Sequence, residues 1–457
     1  MKYLSTRGGV SNVSFKDAVI MGLADDGGLL VPASLPDVSD RLADWATLDY
    51  AGLATEIMGL FIDDIPGEDL AALVKKSYST FTHPDVTPVR TVGDLSVLEL
   101  FHGPTLAFKD VALQFLGNVF EYILSERDTR VNILGATSGD TGSAAIEGIR
   151  GKDKIHIFIM FPEGKTSPLQ ELQMTTVLDN NVHAIAIEGS FDDCQTILKD
   201  VFSDLSFKAS HGLAAVNSVN WTRVLAQIVY YFSAWYQLGR PAVFDVAVPT
   251  GNFGNIFAGY CAQRMGLPIG RLILATNEND ILCEFFNTGR YHRGDVHFTH
   301  SPAMDIQVSS NLERYLYYLM EGETTKVRAF MEQFRETGEA RFEFNTPSLD
   351  ERFVAGAVDN ATTLETIRAM YNSHDYLVDP HTAVGITVAE RFRRDDVPLL
   401  CLSTAHPAKF EEAMTEALPG VDATHPRLQE LVGKPTRKEL LDADVDAVKQ
   451  LIDSRGG

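Results

Sequence analysis

Most of the chain after about residue 95 repeats one pattern: a short apolar run, a turn of small residues, and a segment of helical period. The apolar runs predict strands at 96–100, 131–134, 154–161, 182–187, 243–248, 272–275 and 398–402. Strands that alternate with helices are typical of parallel sheets that helices cover on both faces. The sequence therefore predicts an α/β fold, in which ligands bind beyond the carboxyl ends of the strands.

Helical spacing of apolar residues is clearest directly after Lys109, where they recur three and four positions apart. Asp110 is the expected N-cap of that helix. Two further helices are predicted near the N-terminus, at 15–24 and 67–80. Residues 421–457 are charged and helical in period, and they predict a surface helix or tail.

Composition and charge narrow the class of protein. The chain has 457 residues, of which 45% are hydrophobic and 22% charged, so it is large enough for two or three domains or for one two-lobed enzyme. Its 39 basic and 62 acidic residues give a formal net charge of −23, which disfavours binding to nucleic acid or to a membrane surface. An anionic substrate would therefore need a local cluster of positive charge.

The apolar runs and the N-terminus predict a cytoplasmic protein. No apolar run reaches the roughly eighteen residues that span a bilayer, and the N-terminus becomes polar too early for a secretory signal. The four cysteines lie far apart without metal-finger spacing, and the twelve histidines include no H-E-x-x-H motif. Two of the cysteines, Cys261 and Cys401, stand in apolar surroundings and are expected to be reduced and buried. No metal site is expected.

The first candidate site residue is Lys109, in the segment 101–110. It stands between aromatic and aliphatic residues, immediately before the predicted helix. Burial and the positive end of a helix dipole both disfavour the ammonium form of such a lysine. A neutral amine is the form that a Schiff-base lysine requires, although a lysine at a helix start, taken alone, more often extends to solvent.

Two turns that follow strands are rich in small residues that can surround an anion. The segment 135–145, G-A-T-S-G-D-T-G-S-A-A, suits a substrate carboxylate; the alternative is a plain turn capped by Asp140. The segment 248–255, V-P-T-G-N-F-G-N, can present successive N–H groups to a phosphate. It matches neither of the common nucleotide-binding glycine motifs, and the alternative is an ordinary tight turn.

A hydroxyl follows the last predicted strand, in the segment 402–410 that contains Ser403 and Thr404. It could meet a heteroaromatic nitrogen, or it could merely cap a turn. An amine, a carboxylate-sized turn, a phosphate-sized turn and a hydroxyl at strand ends together match what pyridoxal phosphate requires. The cofactor needs an aldehyde anchor, a phosphate cradle and a partner for its ring nitrogen. The four segments therefore indicate a pyridoxal-phosphate enzyme.

The same segments, with others along nearly the whole chain, resemble the threonine synthase family in its longer form. The matching stretches are 3–8, 26–29, 102–110, 135–145, 161–176, 217–223, 249–255, 276–280 and 403–410. The resemblance implies the two-lobed fold type II of pyridoxal-phosphate enzymes, similar to the β subunit of tryptophan synthase. It also implies conversion of O-phospho-L-homoserine and water to L-threonine and phosphate, the last step of threonine biosynthesis, by γ-elimination and β-addition.

The resemblance also implies roles for particular residues. Lys109 corresponds to the lysine that binds the cofactor aldehyde and shuttles protons, and Thr404 to the partner of the pyridine nitrogen. The cofactor phosphate is expected at Gly251, Asn252, Phe253, Gly254 and Asn255. The substrate carboxylate is expected at Thr137, Ser138, Gly139, Asp140 and Thr141. Many relatives of this fold have Asn where Asp140 stands, and the protonation state of Asp140 is left open.

The implied substrate carries a phosphate of its own, which needs a second anion site. The candidates for that site are Lys165, Ser167, Asn220 and Arg223, because Lys and Arg donors suit phosphate. The alternative for the two cations is salt bridging at the surface. The expected partner is thus a small molecule, with no nucleic acid and no membrane, and the protein is expected to be a monomer or a homodimer.

Strand order and the resemblance together predict an N-terminal domain, two lobes and a tail. Their expected bounds are 1–95 for the N-terminal domain, 96–130 and 236–420 for the large cofactor-binding lobe, 131–235 for the small mobile lobe and 421–457 for the helical tail. Two other functions stay open. A phospholyase on the same scaffold would release phosphate and ammonia from the same substrate and give 2-oxobutyrate. The second is an inert cofactor-binding or regulatory protein, against which the intact Lys109 and Thr404 argue.

Overall fold

The computed structural model describes residues 1–137, 139–215, 218–346 and 348–456. The N-terminal part combines helices with an antiparallel pair of short strands. These elements are β1 (Tyr3–Ser5), α1 (Phe15–Met21), β2 (Leu30–Pro32), α2 (Tyr50–Gly59) and α3 (Gly67–Tyr78). The helices predicted at 15–24 and 67–80 are confirmed.

The chain then enters one sheet, crosses to a second, and returns to the first. The elements before the return are β3 (Val89–Val92), β4 (Leu95–Glu99), α4 (Lys109–Arg127), β5 (Val131–Ala136), α5 (Asp140–Ile149), β6 (Ile155–Pro162), α6 (Pro168–Thr175), β7 (Val182–Glu188), α7 (Phe191–Ser203), α8 (Leu205–Ser210), β8 (Leu213–Ala214) and α9 (Trp221–Gln237).

After the return the chain alternates again between strands and helices. The elements are β9 (Phe244–Pro249), α10 (Gly254–Arg264), β10 (Ile269–Thr276), α11 (Ile281–Thr288), β11 (Arg290–His292), α12 (Leu312–Leu319), α13 (Thr324–Thr337), β12 (Glu339–Arg341), β13 (Phe353–Ala357), α14 (Asn360–His374), α15 (Pro380–Arg391), β14 (Leu399–Ser403), α16 (Glu411–Ala417), α17 (Pro426–Gln429), β15 (Glu439–Asp442) and α18 (Val445–Arg455).

Within the described residues, the larger sheet has six strands in the order β13-β10-β9-β14-β4-β3. Its neighbours are parallel except for β3, which pairs with β4 in antiparallel register. The smaller sheet has five parallel strands in the order β15-β7-β6-β5-β8. All seven predicted strands are confirmed, as β4, β5, β6, β7, β9, β10 and β14, and the predicted α/β class is confirmed with them.

Helix α4 connects the two sheets and is buried on nearly all sides. It packs against α3, α5 and α9, and its residues 109–120 are all buried. At Gly117 it approaches α5 so closely that an added Cβ would lie 2.0 Å from the carbonyl oxygen of Gly148. This close contact fixes the start of α4, which carries Lys109, relative to the smaller sheet.

The start of α4 differs from the sequence prediction. The helix begins at Lys109 after Phe108, so Asp110 is its second residue and not its N-cap. The Asp110 carboxylate accepts hydrogen bonds from the N–H (2.8 Å) and the hydroxyl (2.7 Å) of Thr105. Burial raises the pKa of Asp110 to about 6. Because an acidic residue is favoured both as a cap and in the first turn, the sequence did not separate the two positions.

The C-terminal residues also differ from the expected helical tail at 421–457. Strand β15 pairs in parallel with β7 and extends the smaller sheet. Helix α18 then packs Val448 and Ile452 into the core of that sheet. Without β15, β7 would be an exposed edge, which proteins commonly cover. The four residues of β15 include only two apolar ones, too few to predict a strand.

Cys261 and Cys401 are buried and free, as expected, and Cys194 and Cys283 are buried and free as well. Across the described ranges, no group of His, Cys, Asp and Glu side chains is arranged to hold a metal ion. None of the helices in the same ranges is both long and apolar enough to cross a membrane.

Candidate active site

The predicted amine, hydroxyl and carboxylate loop meet at the carboxyl ends of parallel strands. Phe108, next to Lys109, donates its N–H to the Thr404 carbonyl at 2.8 Å and so joins the segments that follow β4 and β14. Lys109 Nζ lies 3.6 Å from a carboxylate oxygen of Asp140, at the start of α5. The structure therefore brings three of the four predicted segments together.

The fourth segment, the turn after β9, is joined to this centre through the loop 301–304. The Ala303 carbonyl oxygen lies against Gly251, where an added Cβ would be only 2.6 Å away. The Ala303 N–H donates to Nε2 of His381, at the start of α15, at 3.2 Å. His381 in turn is close enough to Asp140 for the two side chains to interact electrostatically.

Lys109 is a buried lysine whose side chain is 10% exposed. Burial lowers its pKa, and the positive charges of Lys409 and Arg223 lower it further, whereas Asp140 opposes the shift. The lowered pKa has the direction predicted from the sequence and favours a neutral amine. Such an amine can bind an aldehyde and can accept a proton.

Asp140 is an ionised carboxylate between two lysines. Burial by itself would raise the pKa of Asp140, but Lys409 and Lys109 hold that pKa well below its usual range. Its Oδ1 lies 2.9 Å from Lys409 Nζ and accepts a hydrogen bond from Gln170 Nε2 at 2.8 Å. The carboxylate is therefore charged at neutral pH.

Five consecutive N–H groups, from Gly251 to Asn255, find no acceptor among the described residues. They follow β9, pass through a left-handed backbone conformation at Phe253 (φ 61°) and lead into α10. Phe253 and Asn255 are buried, and buried N–H groups without an acceptor are rare in proteins. A bend of this kind at a helix start binds anions. The geometry agrees with the predicted phosphate cradle.

The carbonyl groups of the same turn are held by a segment that sequence reasoning missed. Ser309 Oγ donates to the Gly251 carbonyl at 2.7 Å. Asn311 donates to the Asn252 carbonyl from its N–H at 3.1 Å and from Nδ2 at 3.0 Å. Ser310 Oγ donates to Asn252 Oδ1 at 3.0 Å. With its carbonyls occupied, the turn keeps its N–H groups for a ligand.

Asn255 adds a side-chain donor to the cradle. Its Oδ1 accepts from the hydroxyls of Tyr230 and Tyr231, the second at 3.1 Å. Its Nδ2 is buried and has no partner within the described part of the chain. Such a donor costs roughly 1–3 kcal/mol unless a ligand accepts from it, so the side chain is oriented for a ligand.

Thr404 presents a free hydroxyl directly after β14. Its N–H donates to Thr382 Oγ1 at 3.2 Å, and the Thr382 hydroxyl donates to Asp379. The Thr404 hydroxyl itself has no protein partner in the ranges that the structure describes. Ser403, by contrast, lies 3.1 Å from Thr382 Oγ1 and is committed to it. The structure thus favours Thr404 over Ser403 as the hydroxyl that meets a ligand.

The loop between β5 and α5 is shaped by Thr137 and Gly139. Thr137 Oγ1 accepts from the Gly139 N–H at 3.0 Å. Gly139 has a φ of 153°, and an added Cβ there would lie 2.3 Å from Gln170 Oε1, so a larger residue does not fit. Thr141 is half-buried in the first turn of α5. The predicted Ser138 lies outside the described residues.

Arg223 is a buried arginine with unused donors. The residue is 5% exposed, and its Nε and Nη1 have no hydrogen-bond partner among the described residues. Burial lowers the pKa of Arg223 to about 10, and its positive charge acts on Lys109. This burial argues against a surface salt bridge. An unpaired buried guanidinium is costly unless an anion accepts from it.

The other three residues predicted for the substrate phosphate are placed differently. Lys165 is exposed on the loop between β6 and α6, and Ser167 is half-buried at the N-cap position of α6. Asn220 caps α9: its Oδ1 accepts from the Thr222 N–H at 3.1 Å, and its Nδ2 donates to the Val19 carbonyl at 2.9 Å. The Asn220 amide is thus used within the protein.

Sequence reasoning missed several other polar residues around Lys109 and Asp140. They are Thr105, Gln170, Gln173, Asp379, His381 and Lys409. Gln173 Oε1 is buried and without a partner in the described ranges. Thr105, Gln170, Gln173 and Lys409 stand in stretches that resemble the family, and that resemblance was the available signal for them. Asp379 and His381 carry no local pattern.

The residues present fit pyridoxal phosphate. Lys109 would offer its aldehyde a buried amine with a lowered pKa, the N–H groups of 251–255 would offer donors to its phosphate, and the Thr404 hydroxyl would offer a partner to its ring nitrogen. The buried donors at Phe253 and Asn255 are the strongest part of the fit, because none of the described residues supplies an acceptor for them.

Family models and relatives agree with this fit. The model "Pyridoxal-phosphate dependent enzyme" matches residues 86–402, "Threonine synthase N terminus" matches 2–78, and "Threonine synthase, C-terminal" matches 382–452. The chain is 47% identical to a threonine synthase of Schizosaccharomyces pombe, over 92% of this chain and 89% of that protein. The chain belongs to the threonine synthase family.

Solved threonine synthase structures match the whole chain. The pyridoxal-phosphate-bound enzyme of Brucella melitensis has a TM-score of 0.96 and 42% identity, over 100% of this chain and 99% of that one. The yeast enzyme has a TM-score of 0.94 and 43% identity, over 99% of this chain and 98% of that one. The resemblance stated from the sequence is confirmed: this member of the threonine synthase family is a pyridoxal-phosphate-dependent lyase of fold type II that acts on a small molecule.

The cradle leads to a first prediction, for Gly251→Ala. The added Cβ would lie 2.6 Å from a backbone oxygen of Ala303, so the turn must shift and its N–H groups lose their alignment. A strained packing change of this size costs roughly 1–3 kcal/mol, so we expect the affinity of the cofactor-free protein for pyridoxal phosphate to fall roughly 5- to 100-fold. Fluorescence titration measures this affinity.

The matched control for that substitution is Gly67→Ala. Gly67 begins α3, and an added Cβ there meets nothing within 4 Å. The affinity of the Gly67→Ala variant for pyridoxal phosphate should equal that of the unchanged protein. Equal affinities for Gly251→Ala and Gly67→Ala would contradict the placement of the phosphate at the turn after β9.

Proposed function

We propose that this chain converts O-phospho-L-homoserine and water to L-threonine and inorganic phosphate, the last step of threonine biosynthesis. The observation that carries the proposal is the presence of two separate anion sites. One is the N–H cradle at 251–255, and the other is the unpartnered guanidinium of Arg223 on α9. The first suits the phosphate of the cofactor, and the second suits a substrate with a phosphate of its own. The printed name of the 47% identical relative supports the same reaction.

Lys109 is the proposed catalytic residue. It would hold the cofactor covalently through Nζ, and that Nζ, once freed, would accept the substrate's α-proton, for which its lowered pKa suits it. When bound, pyridoxal phosphate supplies the aldehyde and a conjugated ring that spreads the negative charge left by proton removal. A proton must then leave Cβ before the γ-phosphate can depart, and a proton added at Cγ, water added at Cβ and a proton returned to Cα complete the reaction.

Thr404 and Asp140 are the proposed neighbours of the cofactor ring. The free Thr404 hydroxyl can hydrogen-bond to the pyridine nitrogen, but it cannot hold that nitrogen protonated as a carboxylate would. Negative charge must therefore be stabilised by other donors around the reacting atoms. Asp140 is ionised beside Lys109 and does not serve as a proton donor at neutral pH.

The loop 137–141 and Arg223 are the proposed substrate anchors. The loop offers small residues at the start of α5 to the substrate carboxylate, and Arg223 pairs with the substrate phosphate. Lys165 and Ser167, on the loop between β6 and α6, would complete the phosphate site if the small lobe closes over the substrate. We leave Asn220 out of the site because its amide caps α9.

We also propose an assignment of the lobes, the compartment and the assembly. The small mobile lobe comprises 131–235 together with β15 and α18, since both of these pack on its sheet. Four free, buried cysteines are compatible with a cytoplasmic location, and the protein acts as a monomer or a homodimer. Sedimentation analysis of the purified protein distinguishes the two assemblies.

Product analysis tests the proposed reaction. The purified protein, loaded with pyridoxal phosphate, is incubated with O-phospho-L-homoserine, and phosphate, threonine and 2-oxobutyrate are quantified in one sample. Threonine equal to phosphate supports the synthase. Phosphate accompanied by 2-oxobutyrate identifies a phospholyase on the same scaffold, and no phosphate at all identifies either a wrong substrate or an inert cofactor-binding protein.

A further inference from the structure

Lys409 is a fully buried lysine that joins the two lobes of the molecule. Its side chain is 0% exposed, and its Nζ donates to the Thr105 carbonyl at 2.6 Å. The residue ends the short helical turn Pro407–Lys409, which follows the last strand of the larger sheet. Its ionic partner, Asp140, belongs to α5 on the smaller sheet, and the two charged atoms lie 2.9 Å apart.

Asp140 therefore has two lysine neighbours at unequal distances. Its Oδ1 is in direct contact with Lys409, whereas its Oδ2 lies 3.6 Å from Lys109 Nζ. The contact with Lys409 and the hydrogen bond from Gln170 hold the carboxylate in place. A carboxylate that paired closely with Lys109 alone would stabilise its ammonium form, which cannot attack an aldehyde.

We propose that Lys409 is a positioning residue that holds the Asp140 carboxylate away from Lys109 and so keeps Lys109 in its neutral, nucleophilic form. Lys409 acts through Asp140 and not by touching the reacting atoms. The inference rests on the proposed role of Lys109 as the residue that binds the cofactor.

The signs of the expected effects follow from the charged groups that face Lys109. These are Asp140 from α5, Lys409 from the turn after β14 and Arg223 from α9, and His381 from α15 faces Asp140 in turn. Removing Lys409 takes away one cation and frees Asp140 to pair with Lys109, and both changes favour the ammonium form. Removing the charge of Asp140 leaves both cations in place and has the opposite effect.

The pH dependence of cofactor capture by the cofactor-free protein measures the protonation of Lys109 without requiring turnover. Capture is followed by absorbance, and borohydride reduction with mass spectrometry verifies the bond to Lys109. For Lys409→Met we expect the midpoint of the pH profile to rise by roughly one to three units. For Asp140→Asn we expect it to fall. An unchanged midpoint in Lys409→Met, or shifts of the same sign in both variants, overturns the proposal.

Lys152→Met is the control for removal of a buried lysine. Lys152 Nζ donates to Asn118 Oδ1 at 2.7 Å and to Glu121 Oε2 at 3.1 Å, away from the site. The pH midpoint of cofactor capture in Lys152→Met should equal that of the unchanged protein. A rise as large as that in Lys409→Met would overturn the proposal. If Lys409→Met does not fold, Lys409→Gln takes its place: a higher midpoint supports the proposal, and an unchanged or lower one rejects it.

The same experiment separates this inference from the proposed function. Capture at Lys109 with normal pH behaviour in every variant rejects only the role of Lys409. Absence of any bond at Lys109 in the unchanged protein rejects the proposed role of Lys109 and the inference together.

Discussion

Replacing Lys109 with alanine is expected to remove the covalent bond to pyridoxal phosphate and to slow threonine formation roughly a thousandfold or more. The reason is that Lys109 supplies both the amine that binds the aldehyde and the base that accepts the α-proton, and the structure places it in a buried site that lowers its pKa. The measurements are product formation from O-phospho-L-homoserine and mass spectrometry after borohydride reduction.

Retained binding at the phosphate cradle distinguishes Lys109→Ala from a variant that no longer binds the cofactor. Because the N–H groups of 251–255 are unchanged, the variant should still bind the cofactor without a covalent bond. Gly251→Ala should show the reverse, a covalent bond with weakened affinity. A small primary amine added to Lys109→Ala is expected to restore part of the proton transfer. Full turnover by Lys109→Ala without added amine would show that another residue is the base.

Arg223→Met is expected to raise KM for O-phospho-L-homoserine by roughly tenfold to a hundredfold, because a charge-assisted contact to phosphate contributes about 1.5–3 kcal/mol. Without substrate, the Arg223→Met variant should be at least as stable as the unchanged protein, with a higher midpoint of thermal unfolding. Arg223 is buried with unpartnered donors, and burial lowers its pKa to about 10, so its charge destabilises the empty site. Steady-state kinetics and thermal unfolding measure the two effects.

Arg314→Met is the matched comparison for Arg223→Met. Arg314 is fully buried, and burial lowers its pKa to about 10 as well. Each of its three nitrogens, however, donates a hydrogen bond: Nε to the Leu30 carbonyl at 3.0 Å, Nη1 to Asn311 Oδ1 and Nη2 to the Val219 carbonyl. Its loss leaves these acceptors unpaired, so the free energy of unfolding should fall by roughly 3 kcal/mol or more.

The two arginine variants together decide whether Arg223 binds substrate. A loss of stability in Arg223→Met as large as that in Arg314→Met, with KM unchanged, would make Arg223 a structural residue. A higher KM with retained stability is the pattern of a residue whose partner is the substrate.

The strands of the two sheets could be predicted because each is marked by an apolar run in its own stretch of sequence. Strands β4 to β7, β9, β10 and β14 are buried on both faces, so each reads as a continuous apolar run that needs no knowledge of its neighbours. Strand β15 was not predictable for the opposite reason. Its residues are half-exposed, and it is a strand only because β7 lies beside it.

The four site segments were predictable for a related reason. An amine before a helix, two small-residue turns and a hydroxyl each follow an apolar run, and parallel strands bring their carboxyl ends to the same edge. The residues that hold these segments in place by hydrogen bonds could not be predicted. Ser309 and Asn311 carry no local pattern and act only because the chain returns them to the turn after β9. His381 likewise carries no pattern and contacts the loop 301–304 beside that turn.

The sequence by itself determined the α/β class, the order of the segments that bear chemistry and the family to which the chain belongs. Periodicity and motif are properties of neighbouring residues, so they can be read without coordinates. The tertiary structure alone decided which donors and charges stay unpaired. Lys409 meets the Thr105 carbonyl across 304 residues of chain, and Arg223 is available to a ligand because no residue of the described chain reaches its Nε and Nη1. Electrostatic interactions depend on such distances in space, and the separation of residues along the chain does not contain them.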